Sequence, residues 1–129
     1  MRLLLDTHIL LWALGQPRKL SKLVRQQIED AENEVFYSPA SIWEIAIKNT
    51  LGRSDFRAEP EAVVHALHES GFAELPIRAH HAVAMVALPA IHKDPFDRML
   101  IAQARSEPMV LLTRDRVLTA YPATIQLVP

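Results

Sequence analysis

The chain of 129 residues contains no cysteine, which removes a disulfide framework, a cysteine nucleophile and every thiolate metal site, and accords with a reducing compartment. Any metal must therefore be held by nitrogen or oxygen. Glycine is scarce, at 3 residues, and with 50% hydrophobic and 22% charged residues the composition argues against collagen, low-complexity linkers and disorder. No apolar run approaches the ~18 residues of a membrane-spanning helix, so no membrane partner is expected. The apolar start is cut at Asp6, short of the roughly 7–15 residues of a secretory signal core, and a cytoplasmic location is expected. Neither sign of charge is in excess, since the formal net charge is −1. Contact with a nucleic acid must then rest on a local patch. The length suits one domain, expected over residues 1–129.

The order of apolar runs is informative. Leu3-Leu4-Leu5, stopped by Asp6-Thr7, reads as a short strand buried on both faces, as in a parallel sheet. A short helix carrying Ile9, Leu10, Trp12 and Ala13 follows, and Gln16-Pro17 breaks it. From Ser21 a second helix places Leu20, Leu23, Val24, Ile28 and Ala31 toward the core. Val35-Phe36-Tyr37 is the next strand, and Ser38-Pro39 supplies a cap and a first-turn proline for a helix reaching Gly52. Further helices are expected from Pro60, over His80 to Leu88 and from Asp94-Pro95 through Ala104. Strands are expected over Phe72 to Ile77, Met109 to Leu112 and Ile125 to Val128, with a short helix from Arg114 to Ala120. This alternation predicts a three-layer α/β domain with a parallel sheet, and at most an inserted helical pair around residues 53–88.

In open parallel sheets ligands bind beyond the carboxyl ends of the strands. Asp6 and Asp115 follow two of the expected strands directly, while Glu44 and Asp97 fall in early turns of helices that begin at the same edge. Each acid also has a plain structural explanation. Asp6 and Asp94 suit helix caps, Asp97 complements a helix dipole, and Asp115 suits a turn. Glu44 pairs in spacing with Lys48, yet it stands among Ile42, Trp43, Ile45 and Ile47. It lies either on a narrow polar stripe or buried with a partner. Four acids gathered at one edge would repel one another and raise each other's pKa. A hard cation, Mg²⁺ or Mn²⁺, relieves that better than Zn²⁺ does with oxygen ligands. The hydroxyls of Thr7 and Thr113 are placed to orient a carboxylate or a water.

The histidines are a weaker signal. His65 and His68, and the neighbours His80-His81, have no close ligand in sequence to complete a zinc set, and exposed helix positions account for them. Trp12 and Trp43 read as core or edge packing rather than base-stacking platforms, and either is able to line a groove.

Taken together, Asp6-Thr7-His8 with Leu11-Trp12, the block Ser38 to Lys48, Asp94-Pro95-Phe96-Asp97-Arg98, Leu100 to Ala104 and Leu112-Thr113-Arg114-Asp115 resemble PIN-domain proteins. Within that family they are similar to VapC-type toxins of toxin–antitoxin pairs. The blocks run in the expected order from residue 3 to residue 115. The resemblance implies a PIN-like α/β/α fold, an endoribonuclease dependent on Mg²⁺ or Mn²⁺, a cognate VapB-type antitoxin and a homodimer. Asp6, Glu44, Asp97 and Asp115 match the family's four acids, and Thr113 matches a hydroxyl position. Asp94 either assists the metal or only caps the helix, and Thr7 and Arg98 are expected to support the site. Each of Lys48, Arg98 and Arg114 is open to an RNA phosphate or a neighbouring carboxylate. The segment Arg53 to Glu59 departs most from the family pattern.

Other α/β readings fit less well. A phosphoacceptor domain needs adjacent acids after the first strand, and an Asp-x-Asp phosphotransferase needs an acid where His8 stands. The remaining alternative is a non-catalytic PIN-like module that binds RNA or protein. It leaves four like charges without a use.

Overall fold

The computed structural model describes residues 1–52 and 58–129. Among the described residues five short strands form one sheet, β1 (Arg2–Leu5), β2 (Glu34–Tyr37), β3 (Ala73–Glu74), β4 (Val110–Thr113) and β5 (Ile125–Leu127), in the order β3-β2-β1-β4-β5. Every pairing is parallel. The crossovers are made by α1 (Thr7–Gly15), α2 (Lys22–Glu29), α3 (Pro39–Thr50), α4 (Pro60–Glu69), α5 (Ala79–Val86) and α6 (Pro95–Ser106), with short 3-10 turns at Pro17–Lys19 and Arg116–Ala120.

The leucine run explains why β1 is central. Successive strand residues point to opposite faces, so Leu3 and Leu5 join one core with Ile9, Leu10, Val24, Ile45 and Leu67, while Leu4 joins another with Leu100, Ile101, Leu111 and Leu118. Two cores on the two faces of one sheet make the three-layer α/β/α arrangement expected. Burying each of these leucines is worth about 1.5–3 kcal/mol.

The helix starts carry the capping chemistry that the sequence promised. Ser21 accepts from Val24 N, Ser38 from Ala40 N and Asp94 from Phe96 N, with prolines at the first turns of α3 and α6. Gly71, at φ +79, ends α4, where its amide and that of Phe72 return to the carbonyls of His68 and Leu67. That left-handed position suits glycine.

Three expectations are corrected. Leu23 is 65% exposed and Ala31 lies past the end of α2, because only the Val24 and Ile28 stripe of this short helix meets the core. The strand expected over Phe72 to Ile77 shrinks to Ala73–Glu74 at the sheet edge, where Pro76 has no amide to continue the ladder. The last short helix begins at Arg116, leaving Arg114 and Asp115 in the loop after β4. Within 53–88 the expected helical pair, α4 and α5, is present with β3 between them. Arg53 to Arg57, part of the divergent segment, lie outside the described residues. No helix among the described residues is long and apolar enough to cross a membrane.

Candidate metal and nucleic-acid site

Each acid of interest is delivered by a local rule. Asp6 is both the residue after β1 and the cap of α1; its amide donates to Leu112 O and its Oδ1 accepts from His8 N. Asp115 is the cap of the turn after β4, accepting from Val117 N at 3.0 Å. Glu44 sits in the second turn of α3, and Asp97 in the first turn of α6 behind its cap Asp94. Parallel strands put all these helix starts at one edge, and there the side chains of Asp6, Glu44, Asp94, Asp97 and Asp115 line a cleft of about 340 Å³. Asp94 performs the capping role, with Oδ1 accepting from Phe96 N at 2.8 Å and Asp97 N at 3.2 Å, while also facing the cleft.

The acids differ in how their charge is met. Glu44 is 4% exposed and has a partner for each oxygen, the Thr7 hydroxyl at 2.6 Å and Lys48 Nζ at 2.5 Å. The Thr7 hydroxyl also pairs with Ser41 Oγ at 2.9 Å. Thus Glu44 is buried with a partner, the second of the two readings its apolar neighbourhood allowed. Asp6, 5% exposed, receives the Thr113 hydroxyl on Oδ2. Burial pushes its pKa up from the ordinary value and outweighs the lowering by Thr113 and the His8 amide. Asp97 is pushed up to about 8, first by burial and then by the charges of Asp6, Asp94, Glu44 and Asp115.

One member of the cleft carried no signal in the sequence. His92, on the loop before α6, places Nε2 at 3.0 Å from Asp97 Oδ2 and 3.7 Å from Asp115 Oδ2. Its loop is non-periodic, and Arg98 holds it. That guanidinium donates to the carbonyls of Pro89 at 2.8 Å and Met85 at 2.9 Å and to the Tyr121 hydroxyl at 3.3 Å. Tyr121 in turn accepts from His92 N at 2.7 Å. In the structure Arg98 spends its donors on these groups and braces the loop from behind. Of the other two cations considered, Lys48 is taken by Glu44, and Arg114 lies over the Trp12 ring. Trp43 is 63% exposed, edge-on to Phe96.

The donor set can hold a divalent cation. His92, Asp94 and Asp97 each offer an atom within 4.8 Å of the others, Asp6 and Asp115 line the same cleft, and the elevated Asp97 pKa marks negative charge short of a counter-ion.

A second group, His80, His81 and Glu107, also has ligand atoms within 4.8 Å. His81 is 1% exposed, which corrects its expected surface position. Its Nδ1 accepts from Arg78 N at 2.9 Å, so Nε2 carries the proton and donates to Glu107 at 2.7 Å. That tautomer leaves no lone pair for a metal. The bond holds Glu107 below the usual carboxylate range and ties α5 to the end of α6, where Arg2 at the start of β1 meets the Glu107 carbonyl.

Comparison with known proteins agrees with this geometry. The PIN domain family matches residues 3–123. Ribonuclease VapC22 of Mycobacterium tuberculosis is 30% identical over 119 residues, covering 92% of this chain and 90% of that protein. Among solved structures, VapBC2 from Rickettsia felis bound to a DNA fragment from their promoter superposes with a TM-score of 0.75 at 12% identity, each chain covered in full. DNA-bound VapBC from Salmonella typhimurium gives 0.70 at 17% identity, covering 98% of this chain and 97% of that one. With its sheet order, its acidic cleft and a match over nearly its whole length, the chain belongs to the PIN-domain family and is of the VapC type.

Proposed function

We propose that this chain, as a single domain over residues 1–129, is a metal-dependent endoribonuclease acting in the cytoplasm as the toxin of a toxin–antitoxin pair. The observation that carries the reading is the gathering of Asp6, Glu44, Asp97 and Asp115 in one cleft at the carboxyl edge of the sheet. The name of the mycobacterial relative and the VapBC neighbours support the activity and a VapB-type antitoxin partner. A homodimer follows from the same resemblance.

Asp6 and Asp97 are the primary ligands in this reading, since burial and neighbouring carboxylates raise the pKa of both and leave them short of positive charge. Glu44 and Asp115 complete the set. When bound, Mg²⁺ or Mn²⁺ lowers the pKa of a water and offsets the charge of the scissile phosphate. Around it the chain's own groups set the geometry. Thr113 fixes Asp6, Thr7 and Lys48 fix Glu44, and His92 Nε2 holds Asp97 at Oδ2. Attack by water breaks the bond between phosphorus and the 3′ oxygen, leaving a 3′-hydroxyl and a 5′-phosphate. Attack by the ribose 2′-hydroxyl would instead leave a 2′,3′-cyclic phosphate.

The test is to induce the wild type and Asp97→Asn in cells without antitoxin and to map new RNA 5′-phosphate ends. Discrete ends in the wild type alone support the reading. Cyclic phosphates, equal cutting by Asp97→Asn, or no new ends from either soluble protein would overturn it.

A further inference from the structure

The cleft presents a problem to its own substrate. An RNA strand brings one negative charge per phosphate to a site already lined by five carboxylates, and the chain as a whole offers no compensating positive field, with a net charge of −1. Lys48, which lines the cleft, is held against Glu44 at 2.5 Å. Arg114 is different. It also lines the cleft, is exposed, and among the described residues no carboxylate pairs with it; its partner is the Trp12 ring, 4.8 Å from the guanidinium carbon to the centroid.

An indole face attracts a cation through its quadrupole and carries no charge of its own, so it positions a guanidinium without neutralising it. A carboxylate at the same place would cancel the charge. Trp12 is itself steadied, since its body packs on the core around Ile9 and Leu10, and His8, another residue of the cleft, meets its ring edge-on at 6.3 Å. A second cation, Lys19 Nζ, lies 5.4 Å from the same ring. Two like charges drawn to one indole beside the cleft repel each other, and nothing in the core requires them.

From this geometry we infer that Arg114 and Lys19, held by Trp12, form a phosphate clamp that grips the RNA backbone next to the scissile bond. The inference rests on the ribonuclease reading and adds the place where the strand leaves the acidic cleft. The fork of Arg114 suits a phosphate, with Lys19 as a point charge further along. Contacts of this kind position a strand without reading its sequence.

The clamp is tested by fluorescence anisotropy with a mixed-sequence single-stranded RNA in the presence of Mg²⁺, using Asp97→Asn as parent so that the strand stays whole. On a single strand, every phosphate that a side-chain cation neutralises steepens the fall of log affinity with log salt by about 0.7. Added to the parent, Arg114→Gln is expected to make that slope shallower by about this amount and to weaken binding several-fold at low salt, uniformly across sequences. Lys19→Gln should act in the same direction, and Arg114→Lys should keep the slope. Arg105→Gln, in the last turn of α6, is the control and should change neither. Arg114 is exposed, so its variants test binding in a folded protein. An unchanged slope in Arg114→Gln, or an equal change in Arg105→Gln, overturns the clamp while wild-type cutting keeps the ribonuclease reading. A parent that binds no RNA, with a wild type that cuts none, overturns both.

Discussion

His92 Nε2 stands 3.0 Å from Asp97 Oδ2, so an acid that burial and four neighbouring carboxylates hold well above its ordinary pKa is hydrogen-bonded to a ring nitrogen five positions earlier in the chain. Asp97 holds its proton to about 8, and must shed it to ligate a cation. Cleavage at limiting Mg²⁺ should therefore be weak near neutrality and rise as pH passes about 8. Raising the metal concentration should move the midpoint to lower pH, because ligand proton and metal compete for one carboxylate. Rate against pH at two metal concentrations checks this; a midpoint indifferent to metal would remove Asp97 from the ligand set.

The same shift has a thermodynamic sign. Folded Asp97 keeps a proton up to about 8 that the unfolded carboxyl releases near its ordinary 3.8, so metal-free stability should fall as pH climbs between those values. The raised Asp6 contributes in the same direction. Asp97→Asn should flatten the fall and raise the metal-free Tm at the alkaline end by several degrees, corresponding to about 1–2 kcal/mol. It should also weaken stabilisation by added Mg²⁺. Calorimetry across pH, with and without metal, reads both effects.

Thr7→Val tests the support of Glu44. The substitution keeps the shape of the side chain but withdraws the hydroxyl that Glu44 Oε1 receives at 2.6 Å in a buried setting. A drop of about 1–3 kcal/mol is expected in urea unfolding, with cleavage reduced at constant metal. Unchanged stability would mean that Lys48 alone satisfies the carboxylate.

Arg98→Ala tests the brace behind the loop. It removes donors to the carbonyls of Met85 and Pro89 and to Tyr121, and stability should fall by about 2 kcal/mol or more. Calorimetric Mg²⁺ affinity should fall as well, since His92 and Asp94 ride on that loop. Arg98→Lys should recover only part, because one ammonium does not span the fork. Equal metal affinity in all three proteins would confine Arg98 to stability.

The sheet and the five carboxylates of the cleft were legible because they obey short-range rules. A Leu-Leu-Leu run ending in Asp, and a second apolar run ending in Thr-Arg-Asp, place acids at strand ends, and Ser-Pro and Asp-Pro mark the starts of α3 and α6. His92 was not legible, because what positions it is a long-range brace from Arg98 and Tyr121 rather than any local pattern. The burial of His81 was hidden for a related reason: its partner Glu107 is 26 residues away in sequence. Leu23 misled because the spacing that makes a stripe does not say how wide a stripe the neighbouring layer will cover.

The placement of β1 in the middle of the sheet also sets a clock. The hydroxyl that holds Asp6, that of Thr113, is made 107 residues later. At about 5–20 residues per second, a ribosome needs on the order of ten seconds between the two. Until β4 leaves the ribosome, β1 has no neighbour on one side and the acids have no common edge. The acidic cleft therefore assembles only after β4 has been made, however early Asp6 and Glu44 have left the ribosome.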